Sequence, residues 1–366
     1  MSLDHYFTLG RSGLRVSRIA LGTMTFGTDG MFGAWGSEEA AARAVFDRYV
    51  GAGGNFIDTA DFYTKGTSEA LLGKFIAASG NRHRLVVTTK YTNSVDSGDP
   101  NAGGNGRKHM VRALDDSLRR LRTDYVDLFL VHTWDCITPP EEVVRGLDDL
   151  VRAGKIRYAG LSDVPSWYAA RAQTWAEAHA LSPLVSLQLP YSLVERSLEH
   201  EFAPMALRLG MGITAWSPLA GGLLSGKYRP SEGRGAGEGR LASAAGSRLQ
   251  LFNDCNWSIV AAVESVAKDL GRSMAQVALN WAAMQPAIGA AIVGATKVEQ
   301  LDDNLRALDF DIPAELRAKL DEASAPAVPY PYGMFTDAYQ ATFLHAGAVV
   351  GDKPRGYAPT VGGRAI

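Results

Sequence analysis

Cysteine is nearly absent from this chain, with two in 366 residues, Cys136 and Cys255. Two thiols exclude a disulfide framework and a cysteine-rich metal centre, and they read as reduced thiols in a cytoplasmic protein. No uninterrupted apolar run approaches the roughly 20 residues that span a bilayer. The opening string MSLDHYFTLG lacks the charged region and apolar stretch of a secretion signal. An excess of one charge is lacking too. Lys+Arg 37 stand against Asp+Glu 39, a formal net charge of −2 with no basic run. Neither nucleic acid nor a membrane surface is therefore an expected partner. Also missing is a Gly-rich phosphate fingerprint after the first strand, where the chain reads GTMTFG. That absence counts against a doubly wound dinucleotide fold.

What is present is a regular alternation. With 46% hydrophobic residues the chain can bury a large core. A hairpin is expected over residues 6–16, with its turn at 10–13. Eight β-type runs follow, at 18–22, 55–58, 85–90, 126–132, 156–162, 185–189, 212–216 and 290–293. Between them lie amphipathic stretches at 38–50, 68–78, 107–121, 141–153, 166–179, 198–209, 258–270 and 298–308. Strand then helix, repeated eight times, predicts a (β/α)8 TIM barrel of the α/β class. The expected organisation is a single domain over 1–366, with the barrel at about 17–310 and a C-terminal tail at 313–366. Residues 226–257 read as a Gly-, Ser- and Arg-rich insertion after the seventh strand. The Gly-rich string at 233–239 follows no strand and opens no clear helix, so it reads as loop rather than phosphate cradle.

Active sites of such barrels lie at the C-terminal strand ends. There the sequence puts Asp58, Lys90 and His132 on three consecutive strands, with Tyr63 on the loop after the first. Singly, each has an ordinary structural role: a helix cap, a strand-end lysine, a core histidine, a packed aromatic. Jointly they read as an acid/base cluster. A buried lysine beside a phenol favours the phenolate and is expected to lower the tyrosine pKa from its usual value of about 10. Aspartate would keep that lysine charged, and histidine could donate to a carbonyl oxygen or relay a proton.

The strings GGNFIDTADFY, VVTTKY and DYVDLFLVHTWD resemble the signature of the aldo-keto reductase superfamily. So do GKIRYAGLSDVPSW, SLQLPYSLVERSLEHE, GITAWSPLAGGLLSGKY and IVGATKVEQLDDN. The resemblance runs from about Gly10 to Leu308. The RKH triplet and the SDVPSW string resemble the branch of aryl-alcohol dehydrogenases and potassium-channel β-subunit-like reductases. It implies a catalytic tetrad of Asp58, Tyr63, Lys90 and His132, and NADP(H) bound without a Rossmann motif. By the same resemblance Ser162, Asp163 and Gln188 hold the nicotinamide carboxamide and Trp216 stacks on its ring. Gly22, Thr23 and Met24 border the same end. Ser217, Pro218, Leu219, Gly221 and Lys227 line the pyrophosphate, and Gly294, Thr296, Lys297, Gln300 and Asn304 hold the adenosine end. Arg240 would reach it from the insertion. Many members carry Asn where this chain has Asp163. An ionised Asp accepts hydrogen bonds but cannot donate one.

The function expected is hydride transfer between nicotinamide and a carbonyl or alcohol carbon of a small molecule. A cofactor-binding regulatory or sensor subunit is the second reading. A metal-dependent hydrolase would need converging ligands, and His132 near Asp135 and Cys136 does not make a site. The substrate pocket is expected from Phe26, Trp35, Tyr63, His132 and Trp134, with Met24, Phe62, the loop at 91–107 and the tail nearby. Homo-oligomer formation stays open.

Overall fold

A computed structural model describes residues 3–231, 234–236, 239–242, 246, 250–345 and 348. Strands β1 (Tyr6–Thr8) and β2 (Arg15–Ser17) pair antiparallel as the expected hairpin. Its turn lies against the start of the later strands, where the Arg11 amide donates to the Gly210 carbonyl. Eight strands then form the barrel: β3 (Ile19–Gly22), β4 (Phe56–Asp58), β5 (Val86–Tyr91), β6 (Val126–Val131), β7 (Ile156–Ser162), β8 (Leu184–Pro190), β9 (Gly212–Trp216) and β12 (Ile288–Val293). Each pairs in parallel with the next, and β12 returns to β3 to close the ring. A short hairpin of β10 (Arg229–Ser231) and β11 (Arg234–Ala236) lies inside the expected insertion. The remainder of the string at 233–239 falls largely outside the described residues.

The strands are buried on both faces, as a parallel barrel requires. Along β4, β5 and β6, Phe56, Val86, Leu128 and Leu130 point into one cluster inside the barrel. Their neighbours Ile57, Val87, Phe129 and Val131 join a larger cluster between strands and helices. This period of two is the pleat expressing itself. The helices that cover the outer cluster are α1 (Glu39–Gly51), α2 (Thr67–Ser79), α3 (Arg107–Leu121), α4 (Pro140–Arg152), α5 (Ser166–Ala178), α6 (Phe202–Leu209), α7 (Asp254–Leu270), α8 (Met274–Ala283) and α9 (Val298–Leu305). Met110, Ala113, Leu114 and Leu121 of α3 form its buried stripe, at the expected helical spacing.

Three helices lie outside the sequence expectation. All but one residue of α8 are buried, so it shows no alternation between polar and apolar faces from which to read a period. In the segment expected as tail, α10 (Ala314–Ala323) and α11 (Asp337–Phe343) form. Trp281 of α8 donates its Nε1–H to Asp321 at 2.7 Å, tying α10 to the barrel wall. Tyr332 reaches the loop before α6, donating to Glu201 at 2.9 Å. Most of the tail beyond 345 is outside the described residues. The stretch expected as helix at 198–209 divides into a 3-10 turn, Ser197–Glu199, and α6. No described helix is long and apolar enough to cross a membrane. Both cysteines are free and exposed.

The GGN of the opening motif has a structural cause. The Tyr49 hydroxyl of α1 is fully buried, within 2.7–2.8 Å of the carbonyls of Ile19 and Phe56 and of Ser17 Oγ. It also lies 3.2 Å from the Phe56 amide. A Cβ on Gly54 would stand 2.3 Å from the Tyr49 ring, so only glycine fits there. Next to it, Asn55 accepts from the Ser17 amide and donates to the Arg15 carbonyl. Burial pushes the Tyr49 pKa up, although Ser17 and the backbone groups act against it. Tyr49→Phe strands these partners in an apolar setting. Chemical denaturation should therefore show a loss of about 1–3 kcal/mol. A loss below about 0.5 kcal/mol, the range of ordinary surface changes, would contradict this role.

Candidate active site

Asp58 ends β4, Lys90 is the penultimate residue of β5, and His132 follows β6 directly. Parallel pairing aligns these strands side by side, Asp58 opposite Thr88 and Lys90 opposite Leu130. Tyr63 begins the 3-10 turn Tyr63–Gly66 after β4. The four expected residues thus converge at one mouth of the barrel.

Lys90 is completely buried, and its ammonium has three acceptors. It donates to Asp58 Oδ2 at 2.7 Å, to the Thr59 carbonyl at 2.7 Å and to the Tyr63 hydroxyl at 3.3 Å. Three N–H groups meet three oxygens, which satisfies the ammonium fully. Burial alone would lower the Lys90 pKa, but Asp58 and Tyr63 hold it above the ordinary value. Asp58 is oriented from its other side by Gln188, whose Nε2 donates to Oδ1 at 2.8 Å. Gln188 therefore braces the tetrad. Sequence reasoning gave it only a cofactor role, because its contact with Asp58 crosses 130 positions of chain.

Tyr63 corrects one expectation. Its pKa is raised, because burial outweighs the downward pull of Lys90. The phenol is thus neutral. Since its oxygen accepts from Lys90, its own proton remains available for another acceptor. His132 is neutral as well: burial first, then the Lys90 charge, hold its pKa well below the usual value. Its ring lies 5.7 Å from that of Tyr63 and 5.1 Å from that of Phe62.

The walls around this centre differ from the sequence expectation at one place. Phe26 is fully buried in the outer core, edge-on to Phe75 at 6.1 Å, and does not line the mouth. Phe32, in the 3-10 turn Gly30–Trp35, stands there instead, 5.5 Å from Phe62 and 5.8 Å from Tyr63. The string MFGAW held that signal, aromatics three apart in a helical turn. The Thr23 amide and hydroxyl both bond the Asp58 carbonyl, and its hydroxyl also meets Ser68, which braces the turn. Gly22 is sealed against β12, where a Cβ would lie 2.9 Å from Ile292. Met24 is partly exposed. Trp35 lies under the Arg240 guanidinium at 4.9 Å. Trp134 packs against Trp167 and Tyr168. Asp135, considered as a metal ligand, instead accepts from Asn105, Ile137 and Thr138 and ties two loops together. Among the described residues no group of three metal-ligating side chains exists.

The remaining expected residues form a rim continuing from β7 to α9. Ser162 ends β7 and Asp163 follows it, with Asp163 Oδ1 accepting from Trp216 Nε1 at 3.0 Å. Burial pushes the Asp163 pKa up to about 6, against the Trp216 bond and Lys90. After Trp216 the chain turns through Ser217, Ala220, Gly221 and Gly222, all with positive φ. The Ser217 hydroxyl accepts from the Gly221 amide, while Pro218 is buried and Leu219 partly so. Gly222 has φ +94 and lies against Lys227, with a built Cβ 2.5 Å from Cε. Its positive φ strains any other residue there. Burial and the neighbouring Arg240 charge both lower the Lys227 pKa. At α9, Gly294, Lys297 and Gln300 are exposed, Thr296 is partly exposed and Asn304 is buried. Gln300 Oε1 accepts from the Thr296 amide and hydroxyl. Asp302 pairs with Arg48, and Asp303 bonds Ser273 and Gln276. Both carboxylates are thereby engaged away from Lys297.

The Aldo/keto reductase family profile matches residues 18–325. An uncharacterized oxidoreductase of Bacillus subtilis, YrpG, is 36% identical over 346 residues, covering 91% of this chain and 99% of that protein. An aryl-alcohol dehydrogenase [NADP(+)] of Phanerodontia chrysosporium is 35% identical over 91% of its length and 93% of this chain. A probable voltage-gated potassium channel subunit beta of Oryza sativa subsp. japonica is 37% identical over 91% of its length and 83% of this chain. With its closed barrel and the family profile spanning residues 18–325, this chain belongs to the aldo/keto reductase family and is an oxidoreductase.

Proposed function

We propose that the chain is an NADP(H)-dependent carbonyl reductase, or alcohol dehydrogenase in the reverse direction, with Tyr63 as general acid and base. The observation that carries this reading is the ammonium of Lys90. It fills the phenol's acceptor side and leaves the phenolic proton for a substrate oxygen. The coenzyme when bound supplies hydride to, or takes it from, the substrate carbon. In reduction, the Tyr63 O–H bond breaks and its proton goes to the oxygen of the former carbonyl. The phenolate left behind is stabilised by Lys90, itself anchored on Asp58 and Thr59. Neutral His132 orients the same oxygen with a ring N–H. Alcohol oxidation runs the proton back onto the phenolate.

The residues present fit a dinucleotide. Burial first and the Arg240 charge second disfavour the Lys227 ammonium, and an anion such as a pyrophosphate would restore it. The positive-φ turn from Ser217 to Gly222 packs its backbone directly against the Lys227 side chain. Ser162, Asp163, Gln188 and Trp216 would hold the nicotinamide end, and Thr296, Lys297, Gln300 and Asn304 the adenosine end. An aromatic wall of Phe32, Trp35, Phe62 and Trp134 suits a ring-bearing carbonyl compound or its alcohol. The relative named as a potassium channel subunit supports a second reading, a cofactor-binding regulatory subunit with slow turnover. NADPH oxidation with a panel of aromatic aldehydes and ketones separates the two, since only the enzyme reading requires turnover.

Tyr63→Phe should abolish carbonyl reduction, by about 10² to 10⁴ in kcat, the contribution of a positioned proton donor. NADPH binding measured by fluorescence should stay near wild type. Activity within about tenfold of wild type would overturn the general-acid role.

Lys90→Met removes the one group pulling the Tyr63 pKa down by both charge and hydrogen bond. Alcohol oxidation needs the phenolate, so its rising pH limb should move to higher pH in the variant. An unmoved limb with a near-normal rate would make Lys90 a bystander.

Lys297 is exposed at the position preceding α9, where helix N–H groups already favour an anion. A charge-assisted contact to a 2′-phosphate contributes about 1.5–3 kcal/mol, roughly ten- to a hundredfold in affinity. Titrating NADPH and NADH into Lys297→Ala should show that loss for NADPH alone. Equal weakening of both coenzymes would remove the 2′-phosphate from its role.

A further inference from the structure

Two carboxylates stand at the mouth of the barrel, and they are neutralised very differently. Asp58 is bonded to the Lys90 ammonium and to Gln188. Asp163 is largely buried at the end of β7, and among the described residues it makes no ion pair. Its one side-chain bond is from the neutral indole N–H of Trp216 at 3.0 Å. Thr133 and the Trp134 amide engage its backbone carbonyl, not its carboxylate. A carboxylate so placed is an electrostatic demand for a cation from outside the protein.

We infer that Asp163 makes the site prefer the oxidised, positively charged nicotinamide over the reduced, neutral one. This rests on the coenzyme reading given above, in which Trp216 stacks on the nicotinamide ring. NADP⁺ and NADPH share every phosphate and the whole adenosine end. They differ by a hydride, and so by one positive charge on the ring that meets Trp216. Because the carboxylate is hydrogen-bonded to the edge of that indole, its negative charge lies beside the ring's place. It also polarises the indole N–H, which enriches the π face a cationic ring would stack on. An asparagine at this position could hold Trp216 through its side-chain oxygen but would bring no charge.

The charged and titratable groups acting on Asp163 are few. Lys90 on β5 lowers its pKa, and the Asp163 charge in turn raises that of Tyr63 on the loop after β4. Lys90 and Tyr63 titrate above the neutral range and His132 well below its usual value. Asp61 is raised as well, but its charged neighbours are Glu69, Arg120 and Lys90. Any step it produces persists in an Asp163 variant. Asp163 itself ionises near pH 6. Above that pH the preference for NADP⁺ is present, and it is lost as pH falls through the Asp163 pKa.

The test is equilibrium binding rather than turnover. NADP⁺, NADPH and 2′,5′-ADP, which lacks nicotinamide, are titrated into wild type and Asp163→Asn at about pH 7.5, followed by tryptophan fluorescence. The ratio Kd(NADP⁺)/Kd(NADPH) should rise about tenfold in the variant, equivalent to about 1.4 kcal/mol, with the 2′,5′-ADP affinity unchanged. A ratio within about twofold of wild type, with 2′,5′-ADP still bound, overturns the inference while leaving the coenzyme reading intact. If the variant does not fold, wild type alone decides. Its ratio should fall as pH is raised from about 5 to about 7.5 through the Asp163 pKa, and a flat ratio overturns the inference. Failure of all three nucleotides to bind wild type would overturn the coenzyme reading and this inference together.

Discussion

Everything at the mouth of this barrel depends on keeping one ammonium charged where no water reaches it. Lys90 has no exposed surface, and an unpaired buried charge is costly by several kcal/mol even after relaxation. The chain meets that cost by directing Asp58, the Thr59 carbonyl and Tyr63 at the three N–H groups. All four groups, counting Lys90 itself, come from two adjacent strands and the segment that follows the first of them. Asp58 and Thr59 are consecutive, so one strand end supplies both the charged and the dipolar acceptor. Removing any one leaves the others desolvated and unpaired, and the group therefore stands or falls as a unit.

The barrel makes this economical. Parallel strands all deliver their C-terminal ends to the same rim, so residues 32 and 130 positions apart meet without a dedicated scaffold. Below the rim, alternating residues fill the inside with apolar side chains. The polar layer is thus set on a close-packed floor rather than on mobile loops, and its geometry is inherited from strand register. Tyr63 is the exception, carried by a 3-10 turn. There Phe32 and Phe62 pack against the phenol, and Thr64 donates to the Phe26 carbonyl. The deeply buried Phe26 therefore acts as an anchor for the turn rather than as a wall of the site.

Much of this was legible in sequence, for a physical reason. Strand-end residues of a barrel are assigned to the rim by topology alone, so Asp58, Lys90 and His132 could be grouped without knowing any side-chain direction. What failed was what depends on direction or on net energy. Phe26 and Phe32 are both aromatics of one loop, and only packing decides which turns inward. The Tyr63 phenol sits between two opposed effects, burial and the Lys90 charge. Sequence shows the lysine but not the depth, and depth wins. The helix α8 escaped because uniform burial erases the periodicity by which amphipathic helices are read. Asp302 and Asp303 lie a helical turn beyond Lys297 in sequence, and only the fold shows that Arg48, Ser273 and Gln276 engage them.

The rim as a whole is electrostatically polarised, and this orders the proposed reading of its parts. Its β4–β7 side holds Asp58 and Asp163, with Lys90 internally compensated by the first. Its far side, from the turn after β9 to the start of α9, holds Lys227 and Lys297. An extended molecule with phosphates at one end and a ring that gains and loses positive charge at the other matches both halves in one orientation and neither in the reverse. Direction along the groove thus needs no single decisive contact. It follows from separating the cations from the uncompensated carboxylate, and Coulomb interactions at such distances are strongest where burial keeps water from screening them. The same separation leaves the neutral phenol of Tyr63 beside the carboxylate half, where a proton can be held until an oxygen anion develops to receive it.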